Sequence, residues 1–295
     1  MSIDNPGLYD SVDETAYHAG TAFSMPTLSC SDCKVLAKPG GPALWHWRQQ
    51  EPEALRREFD VGSAAHALIL GTGPQIVCVP GEWRTKEKKA EVAEWREQGV
   101  LPLHSADYRA VFGMYKAVTS HPVASGLLAS APHREATGLV EGPGGQWLRS
   151  RFDAIGGAGI VDLKTVQAGA AEPEAFIRKA LAFGWHQQAA FYRDMAQELG
   201  ITDGPFRFIA VEKTEPYLVS VIELDEATED LGRDRNHRAI DLYRRCLATG
   251  EWPGYPTDIT TASAPPWAFR DAEETDHLDP TVEQELLDLL KGTKS

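Results

Sequence analysis

The pattern of apolar and polar residues changes near residue 131. Before it, the chain favours helices at 27–38, 42–50, 61–71, 85–98 and 105–129, the last with a break near Pro122. After it, short runs rich in β-branched and aromatic residues predict strands, with longer helical patterns between them. The predicted strands are 134–140, 146–155, 159–166, 206–213 and 216–224, and the predicted helices are 172–183, 185–199 and 226–248.

This change indicates an α/β protein in which a helical first part precedes a central mixed sheet with packed helices. The expected organisation has three parts. They are an irregular N-terminal arm at 1–27, a single domain at 28–268 (helical over 28–130, sheet core over 131–268), and an acidic C-terminal tail at 269–295 with a short helix near 281–291.

Length and composition fit a globular protein, with 295 residues and 42% hydrophobic residues. The first residues, MSIDNPGLYDS, lack the basic region and apolar run of a signal peptide. No stretch approaches the roughly 20 apolar residues that cross a bilayer. We therefore expect a soluble cytoplasmic protein without a membrane partner.

The net charge of −14 argues against a general affinity for nucleic acids. Charge can still act locally, however, because basic residues cluster at Arg84–Lys89, at Arg149 and Arg151, and at Arg233–Arg245. Taken singly, each cluster is most simply a solvated helix face. A binding surface for DNA would have to be confined to one side of the molecule.

Cys30 and Cys33 form a CxxC, but a second CxxC that would complete a zinc site is missing from the sequence. Reduced thiols at the start of a helix are the simplest interpretation. A redox or iron–sulfur role is the alternative.

The stretch IVDLKTV contains the least expected charges, because Asp162 and Lys164 interrupt a β-branched apolar run. Strand alternation places these two side chains on one face, and Asp153 of the preceding strand comes near Asp162 if the strands pair. One interpretation is an Asp–Lys ion pair. The other is a site for a hard divalent cation such as Mg²⁺, which polarises a phosphate and lowers the pKa of a water molecule.

The constellation resembles the PD-(D/E)xK nuclease superfamily, since Asp153 is followed nine residues later by the D-x-K of Asp162 and Lys164. Two further features resemble its RecB-like branch: His66 on an upstream helix, and Gln188 with Tyr192 as a QxxxY on a downstream helix. The flanking stretches YHAG, LSCSD, PALWHWR, EWPG and PPW are similar to the RecE-type exonuclease domain of phages and prophages, over residues 8–268.

The resemblance implies a role for each matching residue. It implies Lys164, Asp162, Asp153 and Glu135 as catalytic groups, the metal ligands His66, Asp153, Asp162 and the Leu163 carbonyl, and contacts to DNA or bracing of the site by Gln188, Tyr192, Arg149 and Arg151. Each also has a structural alternative, such as a packed core histidine for His66 or an exposed strand-start acid for Glu135. The motif departs from the family in reading RFD where Pro-Asp is usual.

The resemblance also implies an activity. It implies an exodeoxyribonuclease that needs Mg²⁺, with Mn²⁺ as a substitute, and no ATP. The enzyme would degrade one strand of linear double-stranded DNA from 5′ to 3′ in a phage- or prophage-carrying bacterial cell. Its implied partners are DNA ends, further copies of itself in a ring, and a RecT-like annealing protein that takes the 3′ strand for recombination.

Two alternatives stay open. One is another RecB-like nuclease, acting on single strands or carrying an iron–sulfur cluster, although the cysteine spacing here does not match that type and we expect no cluster. The other is a non-catalytic protein that binds DNA ends.

Overall fold

The computed structural model describes residues 2–50, 61–266 and 269. The elements within them are β1 (Gly7–Tyr9), α1 (Glu14–Ala19), β2 (Thr27–Ser29), α2 (Cys30–Leu36), α3 (Gly41–Gln50), α4 (Val61–Leu70), β3 (Ile76–Cys78), α5 (Lys86–Glu97), β4 (Leu101–Leu103), α6 (Ser105–Ser120), α7 (Pro122–Ser130), β5 (His133–Glu141), β6 (Trp147–Gly156), β7 (Gly159–Val166), α8 (Pro173–Phe183), α9 (Trp185–Glu198), β8 (Phe206–Glu212), β9 (Val219–Glu223) and α10 (Glu226–Thr249). None of these helices is both long and apolar enough to cross a membrane.

The chain divides into two compact units, one ending at Gly254 and one beginning at Tyr255. All the elements above belong to the first unit. Of the second, residues 255–265 contain neither helix nor strand. The helix expected at 281–291 lies outside the described residues, as does most of the predicted acidic tail.

The main sheet has the order β1-β5-β6-β7-β8-β9, and β2 pairs additionally with β6. The β7–β8 and β2–β6 pairs are parallel, and the other pairs are antiparallel. Helices cover both faces of this sheet. Phe208 and Ile209 are neighbours in β8 and therefore point to opposite faces, yet both are fully buried, each in a different apolar cluster. The predicted α/β fold with a central mixed sheet is confirmed.

Strand β6 changes its partner part-way along. Its first residues pair with β2, from Thr27↔Trp147 to Ser29↔Arg149, and its last residues pair with β7, from Ala154↔Val161 onward. Residues 150–153 lie between these two ladders. The sheet therefore forks at this point, and a fork leaves backbone groups free to bond to side chains.

Helix α4 packs against β7 at the fork. Its sequence, VGSAAHALIL, places the small residues Ala64 and Ala65 against the core, where both are fully buried. Small side chains allow a helix to approach its neighbours closely. This approach brings the next residue, His66, to the fork, where it contacts Asp153 of β6.

The prediction of an irregular arm at 1–27 was wrong. The segment contains β1, which pairs with β5, and α1, whose first turn is capped by the side chain of Asp13. Tyr17 and Phe23 are buried in a cluster with Leu139 of β5. Strands of three residues are too short to show a two-residue period, and their stability comes from distant partners.

The helical assignment of 28–130 was incomplete for the same reason. Residues 27–29 are strand β2 rather than the start of a helix, and β3 and β4 form a separate parallel pair. The strongly patterned elements between 133 and 249 lie within a few residues of the predicted boundaries.

Candidate metal and catalytic site

Asp153 and Asp162 face each other across the fork of β6 and β7. The last ladder pair is Ala154↔Val161, so Asp153 and Asp162 are the first residues beyond it. The backbone N–H of Leu163 donates to Asp153 Oδ2 at 2.8 Å. A side-chain carboxylate thus replaces the carbonyl that a continuing strand would offer, which fixes Asp153 at the point where the strands separate.

His66, Glu135 and Asp153 form a cluster with metal-ligand geometry. Their candidate ligand atoms all lie within 4.8 Å of one another. His66 Nε2 is 2.8 Å from Asp153 Oδ2, and His66 Nδ1 is 3.4 Å from Glu135 Oε1. Helix α4 supplies the imidazole, and adjacent strands of the sheet supply the two carboxylates.

Glu135 has an unusual backbone conformation. Its φ angle is +49°, in the left-handed region that a non-glycine residue seldom adopts. The flanking residues of β5 pair regularly with β6, as Arg134↔Ala154 and Ala136↔Phe152. Arg151 Nε donates to Glu135 Oε2 at 2.7 Å and holds the carboxylate beside His66. Strain at a single residue within a regular ladder is typical of a functional position.

Asp162, Lys164 and Gln188 form a second group beside the first. Lys164 Nζ lies 2.7 Å from Asp162 Oδ2. The side chain of Gln188, on α9, donates to Asp162 Oδ1 at 2.6 Å and accepts from Lys164 Nζ at 3.1 Å. The ion pair that the sequence allowed is therefore present, and one amide holds both of its members.

Burial and charge shift the pKa values of these groups in different directions. Burial by itself lowers the pKa of His66, but the carboxylates of Asp153 and Glu135 outweigh it and raise the pKa to about 9. Burial raises the pKa of Asp162 to about 6, because Asp153 offsets the lowering by Lys164. Burial also raises the pKa of Glu135 above its usual range, with Asp153 adding to the effect. Acidic groups held this close favour a bound cation.

The residues present fit a divalent metal ion. Carboxylate oxygens suit Mg²⁺, and a mixed set with an imidazole nitrogen also suits Mn²⁺. Asp162 is buried and holds Lys164 Nζ 2.7 Å from its Oδ2. The fit to a metal ion therefore rests on the donor set of His66, Glu135 and Asp153.

The remaining predicted residues lie near the site in different roles. Tyr192 is buried and packs edge-on against Phe152, with ring centroids 5.2 Å apart. Arg149 donates to the Thr27 carbonyl at 2.8 Å, and Arg151 to the Val12 carbonyl at 3.0 Å. Both arginines thus tie the N-terminal segment to β6. Leu163 contributes its N–H, as described above.

A cavity of about 790 Å³ opens in front of the cluster. His66, Glu135 and Asp153 line it, together with Tyr17 and His18 of α1. No sequence pattern predicted α1 at the site, since its segment lacks periodicity. The YHAG stretch, which includes Tyr17 and His18, entered only through the family resemblance.

Residues 29–263 match the model of a family described as "PDDEXK-like domain of unknown function (DUF3799)". The chain belongs to this family. The matched residues include β5, β6 and β7 and both groups of side chains at the fork. The fold is therefore a PD-(D/E)xK core, as the sequence predicted, and the predicted enzyme class, a nuclease, agrees with membership of this family.

Two solved structures are similar to this chain. A candidate exonuclease from Eubacterium rectale is 14% identical with a TM-score of 0.58, covering 86% of this chain and 96% of its own. An alkaline exonuclease from Laribacter hongkongensis is 14% identical with a TM-score of 0.29, covering 63% and 90%. The first structure supports the fold. The TM-score of the second is too low to add support. No curated protein matches this chain significantly.

Proposed function

We propose that this protein is a metal-dependent exodeoxyribonuclease of the RecE type. The proposal rests on one observation: two groups of side chains lie side by side where strands β6 and β7 separate. His66, Glu135 and Asp153 form a ligand cluster, and Asp162 with Lys164 stands beside it. Three carboxylates, an imidazole and an ammonium in one site suit phosphodiester hydrolysis better than a structural ion pair.

The ligand set would be His66, Asp153 and Asp162, with Glu135 as a fourth acidic group. Mg²⁺ is the proposed ion, and Mn²⁺ the substitute that the imidazole favours. Such an ion would polarise the scissile phosphate and lower the pKa of a water molecule. Since such an ion would activate both the phosphate and the water, we propose that neither ATP nor another cofactor is needed.

The protein's own residues would orient the reactants. Water attacks phosphorus in line with the leaving oxygen. The water releases a proton to solvent as its oxygen bonds to phosphorus, and the leaving oxygen takes up a proton from solvent as its own bond to phosphorus breaks. Lys164 Nζ would donate a hydrogen bond to a phosphate oxygen as negative charge develops there. Gln188 would keep Lys164 and Asp162 in place, because its amide contacts both.

The finer parts of the proposal come from the resemblance to RecE-type enzymes. These parts are attack on linear double-stranded ends, 5′ to 3′ polarity, and a 3′ strand left for a RecT-like annealing partner. An acidic chain with a net charge of −14 must bind DNA through a locally basic surface. A ring of several copies would concentrate such surfaces in its channel, and we propose this assembly in the bacterial cytoplasm.

One experiment tests the activity and its polarity. Linear double-stranded DNA, labelled separately at each 5′ and 3′ end, is incubated with the protein and Mg²⁺ without ATP. Controls are EDTA, a closed circular substrate and Lys164→Ala. Loss of 5′ label from linear DNA alone, abolished by EDTA and by the variant, is expected. Binding to ends without cleavage would instead identify a non-catalytic end-binding protein.

A further inference from the structure

Phe183, the last residue of α8, presents an aromatic ring to solvent with 61% of its surface exposed. A single exposed apolar residue is ordinary. Phe183 differs because it is the outer member of an aromatic row. Its ring lies 5.7 Å from that of Trp185, at an interplanar angle of 29°, and Trp185 lies 5.0 Å from the fully buried Phe176. The row runs from the surface into the core.

The aromatic row passes beside the candidate catalytic lysine. Lys164 Nζ lies 5.6 Å from the centroid of the Trp185 ring. From the surface inward, the order is therefore Phe183, Trp185 and Lys164. The Trp185 ring would therefore separate a base stacked on Phe183 from the residue that is proposed to contact the scissile phosphate.

A glycine turn fixes the two outer rings. Gly184 has a φ angle of +69° and links the end of α8 to the start of α9. A Cβ atom at this position would lie 3.2 Å from the side chain of Lys34, besides the backbone strain. One turn further along α9, the N–H of Gln188 donates to the Gly184 carbonyl at 3.2 Å. Phe183 thus lies five positions before Gln188, whose side-chain amide contacts Asp162 and Lys164.

Two lysines lie beside this aromatic pair. Lys179 Nζ lies 6.0 Å from the centroid of the Phe183 ring, and Lys164 Nζ lies 5.6 Å from that of Trp185. The two rings therefore each have an ammonium group close by, in a chain whose net charge is −14. Exposed aromatic rings among cations are the chemistry of single-strand binding, in which bases stack on the rings and phosphates contact the cations.

We propose that Phe183 is a stacking platform for an unpaired nucleobase of the DNA strand whose phosphate enters the site, and that Lys179 binds a neighbouring phosphate. This inference rests on the proposed nuclease function. It adds a requirement that function alone does not make: the strand must be unpaired near the scissile bond, on the Phe183 side of Trp185. The exposed ring would then be covered when DNA is bound.

The test measures DNA binding by the full chain in EDTA, where no cleavage occurs. The probe is a dye-labelled duplex with a single-stranded overhang, followed by fluorescence anisotropy. Phe183→Ala should weaken binding about tenfold, a loss typical of one stacked base. Phe183→Tyr, which keeps a ring, should bind within about twofold of wild type. Leu218→Ala, which also trims an exposed apolar side chain (57% exposed), should bind as wild type does.

A second probe separates stacking from a structural effect. In this probe the overhang consists of abasic nucleotides, so that the phosphates remain and the bases are missing. Wild type should lose about tenfold in affinity for it, and Phe183→Ala should lose nothing further. Lys179→Gln should keep the preference for bases but lower the slope of log Kd against log salt by about one.

Three results would overturn the inference. One is wild-type affinity in Phe183→Ala, and another is an equal loss by that variant on both probes. The third is a changed sedimentation coefficient of Phe183→Ala without DNA, because the ring would then be a contact between copies of the chain. If wild type cleaves DNA and Phe183→Ala binds DNA with the same affinity, this inference alone is wrong. A wild-type protein that neither binds nor cleaves DNA removes the proposed function as well.

Discussion

His66 Nε2 lies 2.8 Å from Asp153 Oδ2, although the two residues are 87 positions apart in the chain. Helix α4 and strand β6 meet only in the folded protein, so this contact reports on folding as well as on the site. In the metal-free protein the pair shares a proton. A metal ion would displace that proton, because only the neutral imidazole is a ligand.

The metal-free protein should lose stability as pH rises from about 6.5 to about 9. The pKa of His66 is raised to about 9 in the folded state, although burial opposes this, because Asp153 and Glu135 favour the imidazolium. A raised pKa stabilises the fold below the unfolded value of about 6.5, and that contribution disappears as pH passes the folded value. Its size is on the order of 1–3 kcal/mol.

Urea unfolding in EDTA at pH 6, 7.5 and 9 measures this effect. His66→Gln serves as the control, since it keeps a hydrogen-bonding side chain that does not titrate. The difference in free energy of unfolding between wild type and variant should shrink as pH rises. A difference that stays constant with pH would show that His66 carries no extra proton in the fold.

Lys164 and Asp153 should affect different steps. Lys164→Ala removes an ammonium but leaves the cluster of His66, Glu135 and Asp153, so it should still bind Mn²⁺ while turnover falls roughly 10²- to 10⁴-fold. Asp153→Ala removes a ligand and should lose both. Calorimetric titration with Mn²⁺, beside turnover on linear DNA, separates the two. Equal loss of Mn²⁺ binding in both variants would place Lys164 in a purely structural role.

The thiols of the CxxC should be unreactive in the native protein. Cys30 and Cys33 are buried, and burial raises the pKa of Cys30 to about 11. A thiol held protonated reacts slowly with disulfide reagents near pH 8. Of the four cysteines, only Cys78 is partly exposed.

Ellman's reagent with and without urea measures this, and mass mapping assigns the labelled positions. About one thiol should react quickly in native protein, and all four in urea. Visible absorption near 400 nm with bound iron would contradict the interpretation, since a cluster requires thiolate ligands.

Much of this arrangement could be predicted from strand alternation. It put Asp162 and Lys164 on one face and brought Asp153 near Asp162, because neighbouring strands share a register. It could not predict the fork, which depends on β2 pairing with β6. Strand β2 has only three residues, and its partner lies 120 positions further along, from Thr27 to Trp147. Local patterns carry no information about such a pairing.

Other parts of the site depend on the folded environment rather than on residue type. Tyr192 and Gln188 are four residues apart on α9 and so face similar directions. Gln188 nevertheless reaches Asp162 and Lys164, whereas Tyr192 packs into the core against Phe152. The positive φ of Glu135 likewise leaves no trace in the sequence, because its neighbours read as an ordinary strand.

The strain at Glu135 should appear as a reversed preference between alanine and glycine. Its φ of +49° costs about 1 kcal/mol or more for a residue with a Cβ atom and nothing for glycine. Glu135→Gly should therefore be more stable than Glu135→Ala by about 1 kcal/mol, while both lose affinity for Mn²⁺.

At Thr137, two residues on in the same strand, the order should be normal, with alanine more stable than glycine by roughly 0.5–1 kcal/mol. Chemical denaturation of the four variants in EDTA gives both differences, and the same order at both positions would mean that Glu135 is unstrained. Because the carboxylate is lost in both Glu135 variants, the comparison isolates the backbone, and a reversed order would indicate that the fold accepts this strain to hold Glu135 against His66.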